Sequence, residues 1–248
     1  VGSIYFIRRV PDAAPPSEEA GKKQEAPWAE IFANQPFRKL LWVEMFMAIA
    51  LGGLAAFTVK YLKAEAGMQD SHIMLASAAK FVGALGTLWF LKSRLDRMGS
   101  RPIIFFGLAI GLLCVGVFGL IAGGVVPINF FAVAGLYFSF GFVLASVTMS
   151  MTRLAMSTVP RLGSSHYFAV FAVVGNLAMG LSPMLWGLLI DILSGREWGW
   201  LGIEWNEYTI YFTGVAAVLL LTVLATVRLE EPHAARLNEF LIDLIRNS

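Results

Sequence analysis

Two ionisable side chains stand alone inside long apolar runs: Lys80 within His72–Leu91 and Glu44 within Phe37–Leu62. A charged side chain at the centre of a hydrocarbon layer costs at least ~2.5 kcal/mol on insertion scales. Each must therefore face a cavity, find a partner or snorkel to an edge. At helical rise Lys80 lies roughly 12 Å from the start of its run, which is far for easy snorkelling, and Glu44 roughly 10 Å from the start of its own. The two could approach within a core of roughly 30 Å, at heights that do not match well. The chemistry on offer is electrostatic. Lys80 can line a central path and meet an anionic solute group or a carboxylate. The structural alternative for both residues is a pairing that only holds helices together.

A second constellation is the turn Lys92–Pro102, KSRLDRMGSRP, which carries Lys92, Arg94, Arg97 and Arg101 between two apolar runs. Gly99 permits a positive φ in a tight reversal. Asp96 can accept hydrogen bonds from free amides at a helix start, favoured by the helix dipole. Arg97 and Arg101 can reach carboxylates, helix ends or lipid phosphates.

Little else suggests chemistry. His72, His166 and His233 fall at segment ends, far apart in sequence. Gly163-Ser164-Ser165-His166 resembles a hydrolase signature only superficially, because no buried base–carboxylate partner is evident. Ser164 and Ser165 read as helix-start caps. Cys114 is the single cysteine, so no disulfide framework or cysteine metal site is expected. No phosphate-binding loop is present. No catalytic residue, metal or cofactor is expected, and no basic patch with interleaved aromatics points to nucleic acid.

The elements that must position Lys80 and Glu44 follow from composition. The chain of 248 residues is 57% hydrophobic and 15% charged, against roughly 25% charged in soluble domains. Its charges are bunched. Six apolar runs result, at about 37–62, 72–91, 102–122, 128–152, 167–190 and 208–227, each long enough as a helix to cross a bilayer. The runs lack the alternation of a barrel wall, so strands are excluded as spanning elements. The expected fold is an all-α membrane protein with six transmembrane helices over residues 37–228. Residues 8–36, with five prolines and mixed charges, read as a cytoplasmic linker that cannot bury a core. Within it, Trp28, Ile31 and Phe32 suit a short amphipathic turn. Residues 229–248 read as an amphipathic cytoplasmic tail, lying on the membrane or packed on the protein.

Of the 19 Lys and Arg residues, Lys60, Lys63 and Arg196 fall on one side of this map, Lys80 falls inside it, and the rest fall on the other side. The positive-inside rule then makes both chain ends cytoplasmic. Trp198, Trp200, Trp205 and Tyr208 crowd one outer loop and belong at the outer interface.

Asp96-Arg97-Met98-Gly99-Ser100-Arg101 resembles the signature loop of the major facilitator superfamily, which joins the second and third helices of each six-helix half. Here it again joins the second and third spans, with Lys92 where the family has a glycine. Residues 8–36 look like the loop between the halves, and residues 1–7 like the end of a preceding transmembrane helix. The segment 160–191, with Gly175, Gly180, Pro183 and Gly187, resembles the family's eleventh helix. Its glycines allow close packing and its proline a bend. Gly107/Gly111 and Gly119/Gly123 in the third span suit small-xxx-small packing.

The resemblance implies the C-terminal half of a secondary transporter that moves a small solute by alternating access, driven by an ion or substrate gradient. It implies a signature loop of Asp96, Arg97, Gly99 and Arg101 that latches one conformation. The first, second, fourth and fifth helices would line the cavity, with the third and sixth outside. Tyr137, Ser139 and Asn176 then join Lys80 and Glu44 as candidate pathway residues. The implied partners are the lipid bilayer of the plasma (inner) membrane, a missing N-terminal six-helix half, a small-molecule substrate and a coupling ion. The rival classes are a membrane-embedded scaffold or sensor and a membrane enzyme.

Overall fold

The computed structural model describes residues 28–91, 99–160, 164–200 and 202–229. Residues 1–27, the loop residues Asp96 and Arg97, and the tail from 230 onward lie outside the described residues, and with them the expectations placed there.

The elements in order are α1 (Trp28–Ala33), α2 (Gln35–Gly52), α3 (Leu54–Ala64), α4 (Asp70–Leu91), α5 (Ser100–Ala122), α6 (Phe130–Thr158), α7 (Ser164–Leu193), β1 (Trp198–Trp200), β2 (Ile203–Trp205) and α8 (Glu207–Val227). Six spans, with α2 and α3 counted as one, are long and apolar enough to cross a membrane. The protein is an all-α integral membrane protein.

The helix starts are written into the chain. Asn34, Asn129 and Asn206 each accept hydrogen bonds from amides of the following first turn, at 2.8–3.1 Å, relieving donors that have no intrahelical partner. Gly99 adopts φ 80° immediately before α5, a positive value that favours glycine. In α1, Ile31 is fully buried while Trp28 and Phe32 are exposed.

The helices form two close pairs, α2 with α7 and α4 with α6. α5 and α8 pack on each other and join the pairs from behind, α5 against α6 and α8 against α2. The α4–α6 contact is made by glycine. A Cβ at Gly83 would overlap the Phe138 carbonyl, and one at Gly141 the Lys80 carbonyl. Thr87 bridges the pair by donating to the Phe142 carbonyl at 3.0 Å. In α5, Gly107 and Gly111 face Val147 and Val143 of α6 and Gly119 faces Phe212 of α8, while Gly123, the C-cap just past α5, faces Ile203. The centre is aromatic: Tyr211 and Phe212 are fully buried and stack among Phe57, Phe118 and Trp186.

Both ends of the bundle are tied. At one end Arg101, opening α5, donates to the Val227 carbonyl at the end of α8, a cation at a helix C-terminus where the dipole favours it. At the other end β1 and β2 form an antiparallel hairpin with Trp198 opposite Trp205. The hairpin docks on the end of α5. The Glu204 amide donates to Gly123 O at 3.0 Å, and Asn206 Nδ2 to Ala122 O at 2.9 Å. Trp198 and Trp200 are exposed there.

Candidate functional site: a groove through the bundle

The first span is not one helix. It breaks at Gly53, between α2 and α3. In an unbroken helix the Gly53 amide would donate to the carbonyl four residues earlier, that of Ile49. Here the Ser182 hydroxyl of α7 is inserted into that bond. It accepts from the Gly53 amide at 3.1 Å and donates to Ile49 O at 2.7 Å. Trp186 Nε1 adds a second donor to the same carbonyl at 2.8 Å. Ser182 and Trp186 are four residues apart, so one face of α7 delivers both. A side chain entering the ladder is a recognised cause of a helix break. Close approach is possible because of glycine: a Cβ at Gly52 would lie 2.7 Å from Met179 O and 2.8 Å from Ser182 Cβ.

Two cavities meet at this break. The one toward the hairpin end is a partly open cavity of about 160 Å³ and includes Leu54, Ala55, Thr58, Lys80, Tyr137 and Phe140 in its lining. The one toward the Arg101 end is a partly open cavity of about 460 Å³ and includes Glu44, Met47, Thr148, Thr152, Gly175 and Asn176. Leu51, Gly52, Leu144 and Met179 line both, so the cavities form one groove. Their walls come from the first, second, fourth and fifth spans, and neither has a lining residue from α5 or α8.

Four of the five sequence-based pathway residues thus line the groove: Lys80 and Tyr137 in one cavity, Glu44 and Asn176 in the other. The structure does not bring Lys80 and Glu44 into an ion pair. Neither has an ion-pair or hydrogen-bond partner among the described residues. Glu44 instead packs on Gly175, where a Cβ would come within 2.7 Å of its Oε1. Ser139 is placed elsewhere. Two residues beyond Tyr137 on a helix is a rotation of about 200°, so it turns away from the groove. Its hydroxyl donates to Gly135 O at 2.9 Å and lies beside the Cys114 thiol of α5.

Thr58, Ser182, Trp186 and the break itself were not anticipated from sequence. The available signal was the Gly52-Gly53 doublet in mid-run. Thr58 carried none, since membrane threonines ordinarily bond their own helix.

A family model described as Major Facilitator Superfamily matches residues 1–183. No curated protein matches the chain. With six apolar helices in place and most of its length matched, the chain belongs to the Major Facilitator Superfamily, a family of membrane transporters.

Proposed function

We propose that the chain is the C-terminal six-helix half of a secondary transporter working by alternating access, and that the groove is its side of the solute path. The observation that carries this reading is the pair of joined cavities, which keep Lys80 and Glu44 at membrane depth without partners among the described residues. An intramembrane ionisable side chain is costly and is by default a functional-site hypothesis. Carriers of this kind place their sites at the interface of two repeats near the midplane, commonly at discontinuous helices. The α2–α3 break between the cavities fits that construction.

In this reading Lys80 and Tyr137 bind solute on one side of the break, and Glu44 and Asn176 on the other. Ser139 serves packing of α6 on α5. The exposed apolar faces of α4 and α7, with Phe81, Trp89, Leu177 and Leu188, support a second six-helix bundle as the missing wall, with residues 8–36 joining the two. Lipid covers the remaining circumference. The distribution of Lys and Arg supports a cytoplasmic Arg101 end in a plasma (inner) membrane. On that side the loop of Asp96, Arg97, Gly99 and Arg101 latches one conformation. An ion or solute gradient supplies the energy.

The test is solute flux in vesicles carrying the intact transporter. The carrier should dissipate the gradient of at least one solute, and Lys80→Ala should slow that flux at least tenfold, the scale of one lost charge-assisted contact. A scaffold or sensor passes no solute. Absence of flux, or flux indifferent to Lys80→Ala, contradicts the proposal.

A further inference from the structure

The hairpin-end cavity has a donor set that transport alone does not explain. Its walls are apolar except for Lys80, Thr58 and Tyr137. Thr58 is 3% exposed and Tyr137 8%, and neither hydroxyl has a hydrogen-bond partner among the described residues. The Ser150 and Tyr211 hydroxyls are likewise buried without a partner among the described residues, but neither residue lines this cavity. Thr152, Thr213 and Thr222 each donate to the carbonyl four residues earlier in their own helix, at 2.8–2.9 Å. Buried polar groups in folded proteins are overwhelmingly hydrogen-bonded. The Lys80 ammonium also lacks a partner among the described residues, and Glu44 lines the other cavity, beyond Gly52.

Three residues that carry donor groups therefore line one largely apolar, partly open cavity with no carboxylate among its lining residues. A cation would meet the ammonium. A neutral apolar molecule would leave all three groups unsatisfied. An anion rich in acceptor oxygens satisfies them together. The chamber's volume of about 160 Å³ is close to the ~150 Å³ of an apolar cavity that holds benzene. It thus admits a ring-sized apolar body beside the head group.

We propose that the hairpin-end cavity binds a small amphiphilic anion. Lys80, Thr58 and Tyr137 hold its carboxylate-like head, and Leu54, Phe140 and Leu144 pack on its ring-sized apolar body. This rests on the reading of the groove as a solute path and names the class of solute.

The test uses radiolabelled benzoate and the intact transporter in lipid nanodiscs, with empty discs subtracted. Benzoate should bind saturably. Benzamide (the same shape without charge) and acetate (the head without the ring) should each compete at least about tenfold more weakly, and benzylamine not at all. Lys80→Ala should weaken benzoate at least about tenfold while leaving benzamide unchanged. Thr58→Val with Tyr137→Phe, which keep shape and remove hydroxyls, should weaken it several-fold. The ranking of probes is read on the unaltered chain, so a variant that fails to fold does not shield the idea. Absence of saturable benzoate binding, equal competition by benzamide, or benzoate affinity indifferent to both variants overturns it. Lys80-dependent benzoate binding without flux of any solute leaves this inference standing and removes the transport reading. Lys80-dependent flux of another solute without benzoate binding does the reverse.

Discussion

The Ser182 hydroxyl occupies a position in the backbone ladder of another helix, and this sets what mutation there should do. Ile49 O has exchanged its normal helical donor for two side-chain donors, Ser182 and Trp186. Ser182→Ala removes one donor to Ile49 and one acceptor of the Gly53 amide, and should cost about 1–3 kcal/mol of stability. Trp186→Phe keeps most of the ring and should cost about 1 kcal/mol. The double variant should lose more than the sum of the two, because only then is the Ile49 carbonyl left unsatisfied. Denaturant titration of the detergent-solubilised protein reads this, and simple additivity would mean that the carbonyl finds another donor. Lys80 and Glu44 were legible from sequence because a lone charge in an apolar run is conspicuous. Thr58 was not, because whether a hydroxyl bonds its own helix depends on the neighbouring backbone.

Elements were legible where length and apolarity force them. All six spans lie within a few residues of their expected places, with one exception: α6 continues to Thr158 rather than ending near Thr152. Hydropathy marks the edge of the membrane, not the end of the helix. Ser157 and Thr158 fold their hydroxyls back onto Leu154 O beyond that edge. The break at Gly53 was hidden for a different reason. The residue that stabilises it, Ser182, lies more than a hundred positions later in the chain. The glycines of α5 announced their role through four-residue spacing, whereas Gly83 and Gly141 each stand without such a partner and still make the closest helix contact. Gly141→Val should therefore force α4 and α6 apart, with a loss of about 3 kcal/mol or more and displacement of Lys80. Gly135→Ala, on the same helix with open space around it, should stay within about 0.5 kcal/mol of the parent or gain stability. Thermal unfolding followed by fluorescence compares the two. Equal effects would show that the glycine contact is not what sets the α4–α6 distance.

At the scale of the whole molecule, α5 and α8 form a back wall and the two helix pairs stand in front of it with the groove between them. The groove is divided by the break, with Lys80 on one side and Glu44 on the other, neither paired among the described residues. Arg101 ties α5 to α8 at one end, and the tryptophan hairpin ties α5 to α8 at the other. Replacing Arg101 by Ala should loosen only the first tie, raising hydrogen exchange at the end of α8 while exchange in the hairpin stays as in the parent; a change confined to the hairpin would contradict the assignment.

The most direct test of the account is the reach of water into the groove. Cys114 is the only cysteine, so its replacement by Ser gives a background for single cysteines at Ala55, Thr148 and Leu113. Ala55 and Thr148 each line one cavity, and Leu113 is 70% exposed on the back of α5. In membranes containing the intact transporter, a charged, impermeant thiol reagent should reach position 55 from the hairpin side and position 148 from the Arg101 side. Blocking one should change the rate at the other, and position 113 should stay protected by lipid. If positions 55 and 148 were as unreactive as 113, the groove would be lipid-filled surface and the proposed path would not exist.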